Sequence, residues 1–147
     1  FEIKYQLGVA YKEMGIYDKS AHYFEEYIFQ FSEDAIAFFL LGTCYLEMDD
    51  YPAALLVFQK SNILMPNDHR TLYNIGRCYA GLKEDSDAAR KYREALKISP
   101  EEPDIYYALG QSYHKLNKKK KVKEILDILY MLDRELYDQL NTKKSEG

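Results

Sequence analysis

The chain has 147 residues, 47% of them hydrophobic and 15% aromatic, with a formal net charge of −4. This is the composition of one ordinary globular domain, and no apolar run approaches the ~18 residues of a membrane span. Residues 1–68 carry 4 basic and 11 acidic side chains, which opposes general nucleic-acid binding, since that needs a broad basic face.

A first helix is expected over about Glu2–Met14, carrying the word LGVAY at Leu7–Tyr11. Gly15 marks a turn, and Asp18 is placed to cap a second helix running to about Phe31. The same plan then repeats: LGTCY at Leu41–Tyr45, IGRCY at Ile75–Tyr79 and LGQSY at Leu109–Tyr113, each 34 residues on. A constant period of this size marks a solenoid of stacked supersecondary units. Each unit divides into helices A and B, giving units at 1–34, 35–68, 69–102 and 103–132. Pro52 and Pro103 suit the first turn of a helix, while Pro66 and Pro100 close the second and third units. Asp133 can cap a short helix over about 134–141, with Leu136, Tyr137 and Leu140 on one face. A terminal helix of this kind covers the last apolar face of a solenoid. Residues 142–147 read as a frayed polar tail. The chain opens on Phe1, already at the first position of a unit, and there is no leader-peptide pattern. It reads as a piece of a longer protein. Either further repeats precede Phe1 or the first helix pair is exposed.

Gly8, Gly42, Gly76 and Gly110 share one phase. A mid-helix glycine costs about 1 kcal/mol against alanine, so helix B is expected to approach helix A closely there. Cys44 and Cys78 occupy equivalent positions, with Ala10 and Ser112 as counterparts, and are expected to be buried small residues. Equivalent positions in stacked helices lie about 10 Å apart, beyond the reach of a disulfide. Unpaired thiols favour a reducing compartment, and a cytoplasmic location is the expectation.

The pattern resembles the tetratricopeptide repeat family. That family has a bulky residue at position 4, Leu-Gly at 7–8, Tyr at 11, Ala at 20, Phe at 24, Ala at 27 and Pro at 32. The second unit matches through Phe38, Leu41, Gly42, Tyr45, Ala54, Phe58, Ser61 and Pro66. The third matches through Leu72, Ile75, Gly76, Tyr79, Ala88, Tyr92, Ala95 and Pro100. The first departs at Lys4, Ser20, Tyr27 and Ser32, the fourth at Val122, Leu129 and Arg134. The resemblance implies an all-α, right-handed α-solenoid of four helix-turn-helix repeats plus a C-terminal capping helix. It also implies a protein partner, no cofactor, and a concave groove lined by positions 2, 5, 6, 9, 12 and 13 of the A helices.

Enzyme constellations are not found. His22, His69 and His114 fall at unrelated positions with no metal-ligand spacing, and there is no Gly-rich phosphate loop. The groove positions are more informative. Position 5 is aromatic throughout, as Tyr5, Phe39, Tyr73 and Tyr107. These rings either pack between neighbouring A helices or face outward to a partner. Arg70, Tyr73 and Arg77 are spaced to share one helix face, and Tyr and Arg are enriched in binding hot spots. Thr43, Asn74, Gln111 and His114 complete the candidate groove. The arginines favour an acidic or C-terminal segment. The two-carboxylate clamp of chaperone-tail binders in this family is broken in both frames. One frame offers Tyr5, Val9, Leu40, Arg70 and Asn74, the other Phe39, Thr43, Asn74, Asp104 and Ala108. Lys115, Lys118, Lys119, Lys120, Lys121 and Lys123 form a candidate secondary electrostatic patch. The expected function is a non-catalytic interaction scaffold binding a partner segment. Alternatives are a recruiting module of a larger enzyme, or a secretion-type chaperone using Ile36, Phe39, Thr43 and Leu46.

Overall fold

The computed structural model describes residues 2–146. Among them are nine α-helices: α1 Glu2–Glu13, α2 Tyr17–Gln30, α3 Ala35–Glu47, α4 Tyr51–Leu64, α5 His69–Gly81, α6 Asp85–Ile98, α7 Pro103–Lys115, α8 Lys119–Leu132 and α9 Arg134–Glu146. Each odd helix from α1 to α7 packs on the even helix after it, and each even helix on the next odd one. The A helices α3, α5 and α7 also touch in sequence, and α9 closes the array against α7 and α8. This is an α-solenoid.

Helix starts follow local chemistry. Asp34, Asp50, Asp68 and Asp133 each accept a backbone N–H at the start of α3, α4, α5 and α9, at 2.9–3.2 Å. Asp18 does not do so. The residue before α2 is Ile16, and Asp18 lies inside the first turn, where its charge still favours the helix dipole. α9 outruns the expected 134–141 and is helical to Glu146; Gly147, the end of the expected tail, lies outside the described residues.

The turn between A and B carries a second periodic signal. Gly15, Asp49, Lys83 and Asn117 all have positive φ, at 73°, 56°, 64° and 57°. They are 34 residues apart, so the left-handed turn belongs to the repeat and not to glycine.

The glycine phase has a direct cause. A Cβ on Gly42 would meet the Phe58 ring at 2.7 Å, and on Gly76 the Tyr92 ring at 2.5 Å. Phe24, Phe58 and Tyr92, at position 24 of their units, are 0–2% exposed. Burying each such ring contributes about 1.5–3 kcal/mol, enough to offset the glycine that admits it. The first unit's departures are satisfied in place. The Ser20 hydroxyl donates to the Gly8 carbonyl at 2.6 Å, and Lys4 pairs with Glu26 at 2.9 Å. The fourth unit is rebuilt: Val122 and Leu129 are buried where alanines sit in the third, and Gly110 faces Leu140 from α9.

Cys44 and Cys78 are buried and unpaired. Burial pushes both thiols up, Cys78 to about 12.

Candidate functional site

The position-5 rings are all half-buried. Tyr5 meets Phe24 edge-on at 5.7 Å, Phe39 meets Phe58 at 5.7 Å, and Tyr73 meets Tyr92 at 5.8 Å. These three rings rest on the B helix of their own units, in clusters that also include A-helix residues of the next unit.

Arg70 is committed. Its guanidinium forks onto the Asp68 carboxylate at 2.7 and 3.1 Å and lies 5.5 Å from the Phe39 ring centroid. That fork holds the Asp68 carboxyl below its usual range and raises Arg70. Asn74 is 7% exposed, and its Oδ1 accepts from Arg77 Nη1 at 3.2 Å. Its side chain orients Arg77, whose guanidinium sits 5.8 Å from the Tyr73 ring centroid. Gln111 Nε2 donates to the Tyr107 hydroxyl at 3.3 Å. Burial raises the Tyr73 phenol, which keeps it a neutral donor and acceptor.

Tyr73, Arg77, Tyr107 and Gln111 line one cleft of about 410 Å³, together with Asp49, Tyr51, Lys83 and Lys115. Arg70, Asn74 and His114 do not line it; His114 is half-buried on the last turn of α7. Tyr5 belongs to a separate cleft of about 450 Å³ with Glu2, Tyr27, Phe31 and Asp34. Thr43 donates its hydroxyl to the Leu40 carbonyl at 2.7 Å, and Leu46 is 5% exposed. The apolar strip Ile36–Phe39–Thr43–Leu46 is therefore narrower than the sequence suggests, with Ile36 its one strongly exposed member.

The lysine cluster divides. Lys115 ends α7 and joins the cleft. Lys118 precedes α8, and Lys119, Lys120 and Lys121 fill its first turn, all exposed. Cations there oppose the helix dipole; Lys121 finds the Tyr113 ring at 5.5 Å. Lys123 is also exposed. Lys83, Tyr51 and Lys143, which lies 5.5 Å from the Tyr107 centroid, were not expected at the site. Lys115 had a signal, since it stands at position 13 of its unit. Lys83 and Lys143 had none, because one sits in a turn and the other on the capping helix. The B helices carry their own exposed apolar residues, with Phe29 at 88%, Ile63 at 74% and Met131 at 81%.

Among the described residues no cluster of His, Cys, Asp or Glu could hold a metal ion, and no helix is long and apolar enough to cross a membrane.

Tetratricopeptide repeat models match residues 5–68 and 103–134, and a TPR repeat model matches residues 79–117. No curated protein matches the chain. Among solved structures, MamA aligns at a TM-score of 0.82 and 18% identity over 99% of this chain and 81% of that one. MamA from Desulfovibrio magneticus RS-1 aligns at 0.87 and 24%, covering 91% and 76%. The TPR domain of Arabidopsis OM64 aligns at 0.73 and 18%, covering 76% and 92%. At these identities the structural likeness speaks for the fold. With the 34-residue period, the glycine-on-ring packing and three repeat models matching between residues 5 and 134, the chain belongs to the tetratricopeptide repeat family.

Proposed function

We propose that this chain is a non-catalytic interaction scaffold that holds a segment of another protein along its A-helix face. The observation that carries this is the column of half-buried position-5 rings leading to the cleft lined by Tyr73, Arg77, Tyr107 and Gln111. A half-buried ring already fixed by its packing loses little entropy when a partner covers it. Tyr and Arg in such a setting are the residue types that dominate binding energy. Catalysis, where the full protein has any, is proposed to lie outside this segment.

The test is a pull-down with the chain beside a Tyr73→Ala/Arg77→Ala double variant, followed by calorimetric titration of the captured partner. Each single truncation is expected to cost about 2 kcal/mol, roughly 30-fold in affinity, with helicity unchanged. Lys91→Ala should do little, since that side chain pairs with Glu94 on α6. If Phe29→Ser or Ile63→Ser abolished binding while the groove variants did not, the B-helix face would be the docking surface.

A further inference from the structure

We propose that the cleft where α1, the end of α2 and the start of α3 meet is a guanidinium site, in which Tyr5, Tyr27 and Asp34 take an arginine side chain of a partner protein. It is separate from the cleft between α5 and α7 and does not depend on the groove reading.

The chain holds one such arrangement already filled. At the boundary of the second and third units, Arg70 forks onto Asp68 at 2.7 and 3.1 Å, and its guanidinium lies 5.5 Å from the Phe39 ring centroid. One period earlier, Asp34 stands in the place of Asp68 and Tyr5 in the place of Phe39. Asp34 caps the next A helix as Asp68 does, accepting from Ile36 N and Ala37 N at 3.0 Å. The arginine's own place is taken by Ile36, which is 53% exposed. The first boundary thus keeps the ring and the carboxylate but supplies no guanidinium of its own. The other position-5 rings each carry a cation from the chain: Phe39 carries Arg70, Tyr73 carries Arg77 at 5.8 Å and Tyr107 carries Lys143 at 5.5 Å. Among the described residues, no Lys or Arg lines the Tyr5 cleft of about 450 Å³ or the one adjoining it.

The first unit's departures from the repeat are an independent indication. Position 27 is small and fully buried in the second and third units, as Ser61 and Ala95, and position 32 is Pro66 and Pro100. In the first unit these positions hold Tyr27 and Ser32, and both line the paired clefts. The Tyr27 ring tilts against Tyr5 at 5.2 Å and stacks on Phe31 at 4.7 Å. Its hydroxyl donates to Asp34 Oδ2 at 3.0 Å. The departure therefore sets a second ring beside the position-5 ring and ties it to the carboxylate.

The chemistry selects the ligand. A carboxylate offers about four lone-pair sites; two cap N–H groups and the Tyr27 hydroxyl use three of those on Asp34. Glu2 adds a second carboxylate to the lining. Burial, and after it the Asp34 charge, raises the Tyr5 phenol, so the negative field reaches the ring. Aromatic faces beside carboxylates attract a cation. A planar guanidinium can lie on a ring and still turn an N–H edge to the acid, as Arg70 does; an ammonium has no such plane. Residues 1–34 carry 3 basic and 7 acidic side chains, which draws a basic segment to this end of the solenoid.

The test is an NMR titration of the intact chain with an acetylated, amide-capped peptide alternating arginine with serine. Saturable shifts are expected at Tyr5, Tyr27 and Ile36. Affinity should fall roughly tenfold or more for the citrulline version of the peptide, which is neutral and of the same shape, and for Asp34→Asn, which keeps the helix cap. The lysine version should bind more weakly than the arginine one. Ile36→Arg should fill the site from within and block the peptide, with helicity unchanged. No saturable shift, equal binding of the citrulline peptide, a preference for the lysine peptide, or undiminished binding to Asp34→Asn or Ile36→Arg would overturn the proposal. The Tyr73→Ala/Arg77→Ala variant should bind the arginine peptide as the parent chain does. Loss of binding in that variant but not in Asp34→Asn would overturn this site and leave the groove reading standing.

Discussion

The third and fourth repeats solve the same packing problem by different means. In the third, Ala88 and Ala95 flank Tyr92, and the Tyr92 ring lies on Gly76. The atoms nearest the Gly76 position all come from within the unit. In the fourth, the flanking residues grow to Val122 and Leu129, the central residue shrinks to Leu126, and the space on Gly110 is taken by Leu140 of α9. The fourth unit is thus incomplete without the helix that follows it. One repeat is closed by its own sequence, the other by a neighbour, and the two should respond differently to the same kind of damage.

The largest difference is expected at Leu140, which is 1% exposed. Leu140→Ala should cost about 2–5 kcal/mol, the range for a fully buried leucine. The loss should be concentrated at the C-terminal end, because a solenoid transmits stability chiefly between neighbouring units. Hydrogen exchange would show it: amides of α7, α8 and α9 exchange faster while those of α1 and α2 hold. A uniform loss over all helices would mean that α9 is not a local plug.

Next in size is the glycine pair. Gly76→Ala puts a Cβ 2.5 Å from the Tyr92 ring, which is 2% exposed and has nowhere to move. Overpacking of this kind costs about 1–3 kcal/mol. Gly110→Ala meets the flexible end of Leu140 instead, and the helix propensity gained from alanine offsets part of the cost. The urea midpoint should fall clearly for the first variant and much less for the second. Equal falls would show that ring and leucine yield alike, and that the two repeats are packed with the same stiffness.

The repeats also differ at position 10, where the third holds Cys78 and the fourth Ser112, both buried. The buried thiol is pushed up to about 12, against an ordinary value of about 8.5. A folded-state value above the unfolded one means the native state keeps its proton longer. The stabilisation is complete below pH 8 and is lost as pH climbs toward 12. By pH 10 the loss amounts to roughly 1–2 kcal/mol. Cys78→Ser, which borrows the fourth repeat's residue, should flatten the fall in the urea midpoint between pH 8 and 10. An unchanged slope would put the alkaline sensitivity elsewhere, with Cys44 and Tyr92 the next candidates, since burial raises both.

Much of this contrast was legible before the structure. The period fixed the helix pairs, the glycine phase announced a close approach, and the fourth unit's departures at Val122 and Leu129 flagged it as unlike the others. That Leu140 fills the gap could not be read, because it depends on the angle at which α9 returns across α7. The groove was legible as a set of positions and illegible as a set of partners. Arg70 and Arg77 look alike in sequence, yet one is spent on Asp68 and the other is held by Asn74. Helix periodicity says which face a residue shares. It does not say whether a nearby cap or amide has already claimed its charge. Lys83 shows the same gap from the other side, since nothing in a turn residue's identity announces that the turn overhangs a cleft.

The smallest effect expected is a gain. Position 3 is buried and apolar in the second and fourth units, as Ala37 and Ile105, but in the third it is Thr71, at 0% exposure. The Thr71 hydroxyl has no hydrogen-bond partner among the described residues. A buried polar group left unpaired carries its full desolvation cost, about 1–3 kcal/mol. Valine has nearly the same shape and no such group, so it keeps the packing and removes the penalty. Thr71→Val should therefore stabilise by about 0.5–1 kcal/mol, at the lower end of what such repairs yield. Chemical denaturation of the two proteins in parallel decides it. A lower midpoint for the valine variant would mean that the hydroxyl is bonded in solution, and that the third repeat is more completely satisfied than the fourth at this position as well.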